Sequence, residues 1–218
     1  GTDGILVTES IKDVSDLRGK SIAVEEGFVG HLFLLYVLRE AGLTASDVTL
    51  LPMTTDQAGA AFASGQVDVA VTWEPYLSTA LARENSRVLI SSADVDPILA
   101  DTLYMSERIL KKHPGAVRAL VRALARANEF WMINPEEGNS MVAEEWGLPV
   151  SEVVEIMKTD ELYSMSDQIE FFGAAGGERG VLEGYLDACA RIWFDAGVVN
   201  ELVSASGLID PTYARDNE

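Results

Sequence analysis

"SIAVEEGFVGHLFLLYVLREAG", residues 21–42, decides the fold. Ser21 to Val24 reads as a compact buried strand. From Val29 to Ala41 the apolar residues recur at helical spacing, and Gly42 supplies a stop signal. Between them lie two acids and the turn Gly27-Phe28-Val29-Gly30-His31, where a simple corner needs one glycine at most. A strand handing over to a helix is the unit of an α/β sheet, and the flanking sequence repeats it. Upstream, Ile5-Leu6-Val7 reads as a strand and "IKDVSDLRGK" as a short helical turn and loop. Downstream, "DVTLLPM" is a strand and "TTDQAGAAFASG" a helix with Thr55 or Asp56 near its N-cap and Gly65 at its end. Next come "VDVAVTW" as a strand, "EPYLSTALAREN" as a helix with Pro75 in its first turn, and "RVLIS" as a strand. "DTLYMS" (101–106) reads as one more. This alternation predicts an α/β fold with a mainly parallel sheet.

Beyond residue 106 the character changes. "ERILKKHPGAVRALVRALARANEFWMIN", "PEEGNSMVAEEWG", "PVSEVVEIMKT" and "GVLEGYLDACARIWFDAGVV" are helical patterns with no convincing strand between them. There is no repeat of fixed period and no low-complexity tract. The expected organisation is an α/β region over 1–105 followed by a helical segment over 106–218.

Composition narrows the function. A hydrophobic content of 48% with 23% charged residues is ordinary for a globular chain, but the formal net charge of −19 is not. Phosphate contacts need clustered Lys and Arg, so nucleic acid and anionic membrane surfaces are poor partners. A small anion is still compatible, because one local site can be positive on an acidic surface. Cys189 is the single cysteine and the histidines are two, His31 and His113, so neither a disulfide nor a metal site or other cofactor is expected. No stretch reaches the roughly 18 apolar residues of a membrane span. No signal peptide opens the chain, which begins almost at once on a strand and reads as a start inside a larger protein.

The quoted turn should leave backbone N–H groups unpaired at the C-terminal edge of the sheet, where a helix N-terminus favours negative charge. That suits a carboxylate, sulfonate or nitrate; a plain strand-to-helix corner is the alternative. It is not a P-loop, for the Lys-Ser/Thr signature is missing. His31, in the first helical turn, is either a ligand-facing group or a packing residue. "VDVAVTWEPY" places Trp73 and Glu74 at the same edge. Trp73 offers a flat face to a cleft or packs as core, and Glu74 accepts from a ligand or from its own helix start. Asp101-Thr102 could line the same edge. Tyr163, Phe171 and Phe172 read as a loop-like region before the glycine-rich "GAAGGERG".

In combination these residues point to a family. D-L-x-G-K (16–20), E-x-G-x-x-x-H (25–31), A-x-x-A-F-x-x-G-x-V-D (58–68) and W-E-P (73–75) occur in order. The set resembles the substrate-binding proteins of nitrate/sulfonate/taurine-type ABC importers, which have thiamine-pyrimidine-precursor binders as close relatives. The resemblance is strongest over residues 1–130. It implies a type II periplasmic-binding-protein-like fold, with two α/β lobes closing on a ligand. Residues 1–105 would be lobe 2, with hinge strands at Ile5–Val7 and Leu103–Met105. Residues 106–218 would belong to lobe 1, whose N-terminal sheet the chain would lack. It further implies a non-catalytic, periplasmic or extracytoplasmic receptor for a small anionic or zwitterionic compound, delivering to a membrane permease. The implied ligand-binding residues are Gly27, Phe28, Val29, Gly30, His31, Trp73, Glu74, Asp101 and Phe171. An uncovered helical surface would favour a homodimer. Two other classes compete: a sensory ligand-binding domain outside transport, and an enzyme like the thiamine-pyrimidine synthases, whose cysteine-rich motif has no counterpart here beyond Cys189.

Overall fold

Strands that are apolar at nearly every position need cover on both faces of their sheet, and here both faces are covered. The computed structural model describes residues 1–95, 99–173 and 180–215. Five strands, β1 (Asp3–Thr8), β2 (Ser21–Val24), β3 (Thr49–Pro52), β4 (Val69–Trp73) and β5 (Ser86–Ser91), form one sheet in the order β3-β2-β4-β1-β5. Helices α1 (Val29–Glu40), α2 (Thr55–Ala63) and α3 (Tyr76–Ala80) follow β2, β3 and β4. Because side chains alternate along a strand, Ile5, Val7, Ile22, Val24, Val69 and Val71 join one cluster with Phe33, Leu34 and Val37 of α1. Leu6, Ala23 and Ala70, one position out of step, join the opposite cluster with Phe62 of α2 and Leu77 of α3.

β2 pairs in parallel with β3 and with β4, whereas β1 is antiparallel to both its neighbours, β4 and β5. Four of the five strands therefore run one way and β1 runs against them. Val24, Pro52, Trp73 and Ser91 end at one edge of the sheet, where Asp3, opposite Trp73, begins β1. α1 ends where the stop signal stands: Gly42 takes φ 71°, and the Leu43 N–H returns to the Leu38 carbonyl at 2.8 Å.

Further helices follow: α4 (Glu107–Lys112), α5 (Pro114–Ile133), α6 (Pro135–Trp146), α7 (Val150–Ile156), α8 (Met165–Phe172), α9 (Val181–Asp195) and α10 (Thr212–Arg215). The chain divides into two compact units, one of Gly1–Ala100 with Ala188–Leu202, the other of Asp101–Asp187 with Val203–Glu218. In the first, Cys189, Ile192 and Trp193 of α9 join the α1 side of the sheet. In the second, α6 packs on α5 and α7, and α10 on α5 and α8. Gly138 of α6 lies beneath the Trp131 indole, whose Nε1–H donates to Asn139 Oδ1 at 2.8 Å.

Several local expectations need correction. Residues 101–106 form no strand, and Leu103 and Tyr104 are exposed. Among the described residues their strand-like composition finds no partner to pair with, and pairing is what makes a strand. Phe171 and Phe172 lie on α8 instead of in a loop, because Ser164 and Asp167 form a capping box that starts a helix there. The N-cap of α2 is Thr54, one residue earlier than expected, and Pro75 is the N-cap of α3 instead of part of its first turn. Residues 174–179 of "GAAGGERG" lie outside the described residues.

Candidate functional site

Three helices of the first unit begin at the edge where β2, β3, β4 and β5 end, and they begin differently. The start of α2 is closed. The Thr55 N–H and Oγ1 both donate to Glu25 Oε2, at 2.9 and 2.7 Å, and Thr54 forms a capping box with Gln57. Thr72, buried on β4, secures the same turn by donating from Oγ1 to the Thr55 carbonyl at 3.1 Å. The start of α3 is also closed. Glu74 Oε2 accepts the Ser78 N–H at 3.1 Å, and Oε1 accepts the Ser78 hydroxyl at 2.8 Å.

The start of α1 is open. Its N-cap is Phe28, which has no side-chain acceptor to offer. The first intrahelical bond runs from the Leu32 N–H to the Phe28 carbonyl at 3.1 Å. The N–H groups of Val29, Gly30 and His31 precede it and have no acceptor within the helix. They form the positive end of the α1 dipole. Phe28 is 54% exposed and Val29 42% exposed, so the end is reachable. Gly30 is buried against Val71: a Cβ there would meet Cγ1 at 3.3 Å.

His31 is 4% exposed. Its Nδ1 accepts the Gly27 N–H at 3.1 Å, and its ring meets Trp193 edge-on at 5.1 Å. Burial pushes its pKa below the ordinary 6.5, against a smaller upward pull from the Glu26 carboxylate. An unfolded chain therefore takes up this proton first as pH falls. The contribution of neutral His31 to stability is complete above 6.5 and declines as pH drops from 6.5 through the lower folded value. Urea denaturation between pH 7.5 and 5 should show that decline in the wild type and a shallower slope in His31→Asn; parallel slopes would refute it.

Phe28 and Trp73 meet across the ends of α1 and β4, with ring centroids 6.5 Å apart and planes tilted by 34°. The first unit thus brings Gly27, Phe28, Val29, Gly30 and His31 together with Trp73. Glu74 lies beside them with its carboxylate turned to the start of α3. Asp101, exposed, and Phe171 belong to the second unit. There the Phe171 ring meets Tyr163 at 5.4 Å and Tyr185 at 5.7 Å.

The sequence marks Thr55 near a helix start and Glu25 within the E-x-G-x-x-x-H motif, but neither their pairing nor the packing of Trp193 on His31 is readable from it. An acid directly after a strand is a usable signal for Glu25, whereas nothing local marks Trp193. Cys189 is half-buried, and burial pushes its thiol pKa up. Among the described residues no group of three His, Cys, Asp or Glu side chains could hold a metal ion, and no helix is long and apolar enough to cross a membrane.

Comparison with known proteins puts this geometry in context. The family model described as NMT1/THI5 like matches residues 3–138. A putative aliphatic sulfonates-binding protein of Escherichia coli (strain K12) is 33% identical over 148 residues, 66% of this chain and 46% of that relative. The taurine-binding periplasmic protein of the same strain is 26% identical over 166 residues, covering 72% of this chain and 51% of its own length. The chain therefore spans about half the length of the curated relatives it matches. The crystal structure of the periplasmic aliphatic sulphonate binding protein SsuA from Escherichia coli superposes with a TM-score of 0.75 at 24% identity. That match covers 98% of this chain and 70% of the other, and it is a likeness of fold.

Proposed function

The chain belongs to the NMT1/THI5-like family, and from that premise we propose that it is a non-catalytic solute-binding component of an ABC importer. It works in the periplasm or another extracytoplasmic compartment and takes a small anionic or zwitterionic compound, foremost a sulfonate such as taurine. Nitrate-like anions and pyrimidine precursors are the further classes that the resemblance admits. The observation that carries this reading is the contrast between helix starts at one sheet edge. Those of α2 and α3 are satisfied by Glu25 and Glu74, while that of α1 is open beside the exposed Phe28 and the half-buried Trp73.

An oxyanion at this place accepts from the Val29 and Gly30 N–H groups, and the helix dipole favours its charge. The organic part of the ligand lies against Phe28 and Trp73, where burial of apolar surface adds to affinity. Residues 1–105 serve as one lobe and residues 106–218 as part of the other, and Asp101 and Phe171 are further ligand-binding candidates. Ligand binding favours one conformational state of the receptor, which a membrane permease then recognises.

Val29→Pro tests the anion site directly. Proline at the first helical position removes one N–H and suits helical geometry, and Phe28 before it is already extended, with φ −110° and ψ −179°. A hydrogen bond to a charged group contributes about 1.5–3 kcal/mol, so calorimetric titration with methanesulfonate and taurine should show affinity weakened by about 10- to 100-fold. The thermal midpoint without ligand should stay nearly unchanged. Equal affinity in wild type and variant, or no response of the wild type to any sulfonate, nitrate or pyrimidine, would rule the site out.

A further inference from the structure

His31 is neither an exposed ligand group nor an inert packing residue. A backbone N–H can only donate, so the ring nitrogen facing Gly27 has to be unprotonated. The neutral ring then carries its proton on Nε2. The contact is a variant of a helix cap. Phe28 is the N-cap and His31 is three positions into α1, the place from which a capping-box side chain reaches back to a backbone amide. Here it reaches one residue further, to Gly27. That residue stands at φ 79°, a left-handed turn that reverses the chain before the helix. The ring is buried and packed in a T-shaped contact against Trp193, so α9 backs its hold on Gly27.

We propose that His31 is the positioning residue of the binding turn. Its unprotonated Nδ1 holds the Gly27 N–H, and this bond sets the turn that leaves the Val29 and Gly30 amides facing a ligand. The inference rests on the proposed anion site and names what shapes it. Protonation at Nδ1 would set N–H against N–H and release Gly27. Among the described residues, Glu26 of the turn is the charged group that acts on the ring, and α9 presents the neutral Trp193.

Nuclear magnetic resonance reads this without ligand. In the wild type above pH 6.5 the His31 Nδ1 should resonate as an unprotonated nitrogen. Asn places Oδ1 near the Nδ1 position and does not titrate, so His31→Asn should keep Gly27 amide exchange within about twofold of the wild type. His31→Leu should speed that exchange about five- to tenfold, the worth of one lost hydrogen bond. Acidification, after correction for intrinsic exchange, should speed it in the wild type and not in His31→Asn. Methanesulfonate affinity should follow the same order, kept in Asn and reduced in Leu. A proton found on Nδ1 in the wild type, a measurement that needs no variant, overturns the proposal. So does unchanged Gly27 exchange in a folded His31→Leu. If Gly27 behaves as expected but no anion binds the wild type, the anion site fails and the hold of His31 on the turn is supported.

Discussion

Replacing Phe33 by alanine should lower the unfolding free energy by about 3–5 kcal/mol, the range for deleting a fully buried aromatic ring. Phe33 is 0% exposed and sits in the cluster of Ile5, Ile22, Val24 and Val69, so it joins the middle of α1 to three strands. The loss has two parts: transfer of the ring to water in the unfolded chain, and a cavity between helix and sheet that rigid strands cannot collapse to fill. Phe33→Leu keeps most of the volume and should cost less than about 1.5 kcal/mol. The two compact units need not unfold together, so hydrogen exchange resolved by segment is the better readout. Protection should fall in β1, β2, β4 and α1 and change little in α5 and α6. A loss below about 1 kcal/mol would mean that α1 is held chiefly by something else.

Gly138→Ala should be nearly as damaging, although it exchanges a poor helix former for the best one. Helix propensity favours alanine by about 1 kcal/mol. Against that, the added Cβ would lie 2.7 Å from Trp131 Cγ and 2.8 Å from Nε1, so the indole itself has to move. Trp131 then gives up its 2.8 Å bond to Asn139, which is 8% exposed and is left with a buried acceptor. Overpacking costs about 1–3 kcal/mol and the orphaned group about 1–3 more. The net expectation is a destabilisation of about 1–5 kcal/mol, with the clash and the orphaned group outweighing propensity. Urea denaturation with segment-resolved exchange would locate the damage in α5 and α6. The double change Trp131→Leu with Gly138→Ala should recover part of it, since the side chain that clashes is gone. A neutral or stabilising Gly138→Ala would show that the indole has room to shift.

The same kind of comparison explains why the open start of α1 stands out at a strongly acidic surface. Glu25 and Glu26 both precede it, and on charge alone they should repel an anion. Glu25 is spent on Thr55, and its two hydrogen bonds place its carboxylate at the start of α2. Glu74, a third acid at this edge, is likewise spent on Ser78. Two of the three acids, Glu25 and Glu74, therefore close the neighbouring helices, while Glu26 stays exposed to solvent before the open start of α1.

What was legible in the sequence is what short-range physics controls. The alternation of strand and helix over residues 1–91, the start of α1 at Val29 and its stop at Gly42 follow from apolar spacing and from the backbone freedom of glycine. The gathering of Gly27–His31 and Trp73 at one edge follows from parallel strands ending together. The capping box at Ser164 is equally local, and "SMSD" carries the signal for the start of α8. Other features depended on segments distant along the chain. β1 runs antiparallel between β4 and β5, and 101–106 pairs with no strand among the described residues, because a strand's direction and existence depend on its partner. Glu25 serves Thr55 because β2 and β3 are neighbours. His31 is buried because Trp193, from the far end of the chain, closes over it. Periodicity and capping act within a few residues and leave marks in the sequence, whereas which helix start stays open is decided only when distant side chains arrive to satisfy the others.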